Sequence, residues 1–120
     1  MSDQVNLRKK LAQFDTLWDP KIVGELNGQH MKLVKFQGDF VWHSHAHEDE
    51  MFLVVRGSFQ MLFRDRTVTV NEGEFIIVPR GEEHCPSAEQ ETHVLLFEPA
   101  STVNTGGAGG DRTVSDPERI

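Results

Sequence analysis

The chain has 120 residues, a net charge of −7 and one cysteine, Cys85. This length suits one domain around one core. The acidic balance argues against nucleic acid or an anionic membrane as the main partner, and a lone cysteine excludes an internal disulfide and fits a reducing cytosol. No apolar run approaches the roughly 20 residues of a bilayer span, and MSDQVNLRKK holds no apolar leader, so a cytoplasmic protein is expected.

In chain order, Val5, Leu7, Leu11 and Phe14 are spaced like a helical stripe, with Ser2 or Asp3 as the cap. This predicts a short helix in an N-terminal segment, residues 1–20, that Asp19-Pro20 breaks. From Lys21 the signals are β. KIVGEL and HMKLVKF flank Asn27-Gly28-Gln29, a strong hairpin cue. Gly38-Asp39 turns the chain again, and FVWHSH, EMFLVVRG, SFQMLFR, TVTV, EFIIVP and THVLLFE follow, divided by polar turns. Short strands at this spacing predict an all-β sandwich or barrel over residues 21–100.

Phe52, Phe59, Met61, Phe63, Phe75 and Ile77 are expected to form the core and cavity wall, a lining suited to a small, partly apolar ligand. Met51–Val55 and Phe75–Val78 are apolar on both parities. Strands of that kind are buried on both faces, so the outer face is expected to pack on a second copy, giving a homodimer. Residues 101–120 are polar and Gly-rich and read as a flexible C-terminal tail; the alternative is a tail docked on the barrel.

The donors for chemistry gather in WHSHAHEDEMFLVVRG. Residues two apart on a strand share a face, so His43 and His45 point together, whereas His47 falls where the chain turns. A hairpin back from that turn would set Glu50 opposite the pair. His84 follows a strand and a Pro-x-Gly turn and is expected at the same mouth. Among the others, His47, Glu48 and Asp49 read as a solvated turn. His30 reads as a surface residue, His93 as a hydrogen-bonded core histidine and Cys85 as a small buried residue.

Gly38, His43, His45, Glu50 and Gly57 resemble the first cupin motif, and Gly73, Pro79, Gly81 and His84 resemble the second. The resemblance runs from about Gly38 to Pro99. It implies a double-stranded β-helix, or jelly-roll barrel, with one divalent metal in its mouth held by His43, His45, Glu50 and His84. It also implies a homodimer formed through sheet-to-sheet contact. Three imidazoles and a carboxylate suit iron, manganese, nickel, cobalt or zinc.

Fold does not fix reaction. The first expectation is a small metal-binding cupin of unassigned activity that takes a small-molecule ligand or substrate. A metal-dependent sugar isomerase or epimerase resembling mannose-6-phosphate isomerase is an alternative; it would call on Arg80, and less on Arg56, for a phosphate. An iron-dependent dioxygenase and a non-catalytic ligand-binding module are the others.

Overall fold

The computed structural model describes residues 3–120. Helix α1 (Leu7–Leu11) begins where the Asn6 side chain accepts the Lys9 N–H at 3.0 Å. The cap is therefore Asn6 rather than Asp3, and Ser2 lies outside the described residues. The helix stops short of Phe14 because its last carbonyls find another partner. The buried Lys35 ammonium donates to Leu11 O at 2.8 Å and to Phe14 O at 2.5 Å.

Strands β1 (Lys21–Leu26) and β2 (Gln29–Asp39) form the expected hairpin about Asn27-Gly28. The strands β3 (Glu50–Arg56), β4 (Ser58–Phe63), β5 (Thr67–Asn71), β6 (Phe75–Val78) and β7 (His84–Pro99) follow. A short β8 (Glu118–Arg119) closes the order. The long β7 is the hub. It pairs with β2 along one edge; along the other it meets β4 near its start and β3 near its end. One strand serving three partners folds the sheet over into a jelly-roll barrel.

Side-chain alternation fills that barrel. Val34 and Phe36 of β2, Phe52 and Val54 of β3, and Val94 and Leu96 of β7 enter one core with Phe59, Met61 and Phe63 of β4. Each such side chain contributes about 1.5–3 kcal/mol on burial. The opposite parity of β3 and β6 is different. Phe75 and Ile77, expected in the core, are 60% and 58% exposed, because the register sets them beside Leu53 and Met51 on the outer face.

The segment after Pro99, read from sequence as a flexible tail, lies along the barrel. Thr102 and Thr105 are buried, and the Arg112 guanidinium donates to Asp39 O at 2.5 Å. At its end β8 pairs in parallel with β1, Ile120 N donates to Ile22 O, and Lys10 Nζ donates to Ile120 O. Gly106 sits so close to Ser44 that a Cβ there would stand 2.1 Å from the Ser44 carbonyl oxygen. Glycine is thus a packing requirement at this point as well as a source of freedom.

Candidate metal centre

His43 and His45 do not lie on a regular strand. The chain from Phe40 to Asp49 is irregular, and its β contact is a single bridge between His43 and His84. His43 N donates to His84 O at 3.0 Å and His84 N to His43 O at 2.9 Å, while Gly81 N donates to His45 O at 2.8 Å. These bonds tie the two histidine-bearing segments together. Glu50 does not arrive by a hairpin folded back on the histidines, as the spacing suggested. It opens β3, pairs with Val78, and reaches the site from the neighbouring wall. The side chains nevertheless point inward as alternation required.

His43, His45, Glu50 and His84 are all buried, and one ligand atom from each lies within 4.8 Å of the others. Glu50 Oε1 stands 2.8 Å from His45 Nε2 and 3.4 Å from His84 Nε2. Second contacts orient two of the rings: His43 Nδ1 faces Val41 O at 2.9 Å, and His84 Nδ1 faces Glu82 O at 2.8 Å. A neutral imidazole has one proton, and a carbonyl claims it at Nδ1 in both rings. Their Nε2 lone pairs are then free to ligate, the arrangement that backbone carbonyls impose on metal-binding histidines. His84 Nε2 thus aims a lone pair at a carboxylate oxygen. His84 Nε2, His45 Nε2 and Glu50 Oε1 are buried without a hydrogen-bond partner. Orphaned acceptors facing one another are costly, and a cation among them removes the cost. The donor set fits a divalent metal.

The electrostatics agree. Burial, reinforced by the neighbouring His84, lowers the His43 pKa to about 4, so His43 is neutral and able to ligate across the physiological range. Burial alone would raise Glu50, but the imidazoles of His45 and His84 packed against it hold it below the usual carboxylate range. Glu98 beside it moves the other way, raised by burial and by the Glu50 charge.

Next to the cluster lies a cavity of ≈ 30 Å³ lined by Trp18, Phe36, Phe40, Phe52, His43 and Glu50. That volume is on the scale of one water. Trp18 stacks on Phe36 and Phe40 at centroid distances of 4.4 and 4.8 Å, which makes this wall aromatic.

The remaining candidates sit elsewhere. His47 is exposed and outside the cluster. His30, read as a surface residue, is buried on the inner face of β2 with Nε2 3.3 Å from Glu25. His93 is half-buried and bonded to Glu91 at 2.8 Å on the outer parity of β7, not in the core. Arg80 is engaged with Asp49 at 3.3 Å on the surface, and Arg56 lines a separate groove with Arg8. Cys85 is buried, and burial raises its thiol pKa. Sequence reading missed Lys32 and Glu98, both buried beside the site. Their signal was parity: Lys32 alternates with Val34 and Phe36, and Glu98 with Leu96 and Val94.

Comparison with known proteins now bears on this barrel. The family model described as the cupin domain matches residues 30–98. The chain belongs to the cupin family. A cupin-2 domain protein from Shewanella frigidimarina is 41% identical, with a TM-score of 0.78 over 79% of this chain and 93% of that one. Protein NMB1881 from Neisseria meningitidis is 32% identical, with a TM-score of 0.75 over 82% of this chain and all of that one. YdbB of Bacillus subtilis is 30% identical over 63 residues, 52% of this chain, and the chain spans 56% of that relative's length. No helix among the described residues is long and apolar enough to cross a membrane.

Proposed function

We propose that this cupin binds one divalent transition metal through His43, His45, Glu50 and His84 and presents it to a small-molecule ligand or substrate. The convergence of buried ligand atoms that lack hydrogen-bond partners on one point carries this reading. A bound ion would supply Lewis-acid polarisation of a ligand oxygen. The chain's own residues do the rest. Val41 O and Glu82 O fix the rings of His43 and His84, and Phe36, Phe40 and Phe52 line the space beside them. The aromatic wall and the small cavity favour a small, partly apolar ligand. Arg80 is already engaged by Asp49, so phosphate recognition has thin support and a phosphosugar isomerase ranks below an unassigned metal-dependent or ligand-binding role.

Elemental analysis of protein purified without added metal, repeated on alanine variants, tests this. We expect about one metal per chain in the native protein and a sharp loss in His43→Ala, His45→Ala and His84→Ala, since each removes a ligand. Full metal content in all three variants would overturn the reading. Iron in the native protein would raise the dioxygenase alternative, and zinc, manganese or nickel the isomerase one.

The proposal extends to a cytoplasmic homodimer. Phe75 and Ile77 are more than half exposed beside Met51 and Leu53, a continuous apolar strip of the kind that subunit contact covers. Light scattering is expected to report about twice the 13.6 kDa chain mass, and Phe75→Glu to halve it. A native monomer at micromolar concentration would exclude the dimer.

A further inference from the structure

Three charged residues face the barrel interior on three adjacent strands: Lys32 on β2, Glu98 on β7 and Glu50 on β3, at 2%, 2% and 3% exposure. The β3–β7 register pairs Met51 with Phe97, and one more step sets Glu50 opposite Glu98. That register brings the two carboxyl groups side by side on the inner face. Lys32 Nζ lies 3.4 Å from Glu98 Oε1 and 3.5 Å from Thr102 O. The row therefore runs Lys32, Glu98, Glu50 and then the histidines.

A buried ammonium–carboxylate pair is a poor way to stabilise a barrel. Desolvating both groups costs much of what their attraction returns, and apolar side chains of similar volume often serve as well or better. Their immediate neighbours on the same face of β2 and β7 include the apolar Val34, Phe36, Val94 and Leu96. A pair kept in such a place needs a role other than packing. Its one neighbour of chemical consequence is Glu50.

We propose that Lys32 and Glu98 are positioning residues for Glu50. Glu98 holds the Glu50 carboxylate in the orientation that turns Oε1 toward His45 and His84, and Lys32 holds Glu98. This rests on the metal-centre reading and deepens it by naming what sets the geometry of the carboxylate ligand.

Cobalt(II) titration followed by calorimetry and by its visible absorption spectrum tests the proposal, with a thermal melt on each variant. The decisive variant is the double change Lys32→Met with Glu98→Leu, which leaves no unpaired charge behind. It is expected to melt at or above the native temperature, yet to bind cobalt about 10- to 100-fold more weakly and with a shifted spectrum. Glu98→Gln keeps a hydrogen-bonding group against Glu50 and is expected to retain the native spectrum. A structural role would lower the melting temperature of the double variant and leave its cobalt spectrum unmoved. Native cobalt affinity and spectrum in the double variant would overturn the positioning role alone. A native protein that takes up no cobalt would overturn the metal centre and the positioning role together. Should the double variant not fold, Lys32→Met alone is read the same way: native cobalt affinity and spectrum there would overturn the proposal.

Discussion

Two adjoining regions of the barrel interior are built by opposite rules. Around β4 the inner face is Phe59, Met61 and Phe63, at 1%, 0% and 5% exposure, and Phe59 meets Phe36 edge-to-face at 5.3 Å. Around the starts of β3 and β7 and the end of β7 it is Glu50, His84 and Glu98, buried as deeply. The strands and the alternation are the same, and only the side-chain chemistry changes. The apolar region stabilises the fold by area removed from water, while the polar region gives stability back in desolvation and stores it as a metal-ready geometry.

That contrast can be broken most forcefully in the apolar region. Phe59→Ala empties space in a packed core and is expected to cost about 3–5 kcal/mol, measured by urea unfolding. A loss below about 1 kcal/mol would mean that the core around Phe59 is not close-packed.

The next effect belongs to the polar region. His43 has its pKa lowered to about 4, against 6.5 for an ordinary histidine, so between those values the unfolded chain binds the proton more readily than the native one. Stability of metal-stripped protein is then complete above about pH 6.5 and declines as pH falls toward about 4, by a total on the order of 3 kcal/mol for this group. His43→Gln removes this contribution. Thermal melts of both proteins across that range are expected to show a shallower acid slope in the variant, and parallel slopes would refute the assignment to His43.

The smallest effect sharpens the boundary of the site. His47 is exposed and outside the cluster. His47→Ala is expected to shift stability by no more than about 0.5 kcal/mol and to leave metal content at the native level. Loss of the metal in this variant would place the ligands two residues further along the chain.

The reading of these regions from sequence was uneven for physical reasons. The hairpin at Asn27-Gly28 and the inward parity of His43 and His45 follow from local chemistry, and both are present. The irregular backbone that carries the histidines was not legible, because their register is set by a bridge to His84, 41 positions away by residue number. Lys32 and Glu98 were not singled out, although their parity matched the core; charged residues are so seldom buried that alternation alone did not identify them. Phe75 and Ile77 were grouped with the core because a strand apolar on both parities does not say which side faces in.

For residues 101–120 composition left a flexible tail and a docked one both open, since glycine supplies freedom in general but at Gly106 permits contact. That contact has a kinetic consequence. The segment is secured through partners far away in sequence, Ile22 with Arg119 and Ser44 with Gly107. Non-local pairings of this kind form late in folding, and short exposed ones are the first to open in the native state. Its amides should therefore exchange with deuterium sooner than those of β7. Each opening uncovers Ser44 and the backbone beside His45.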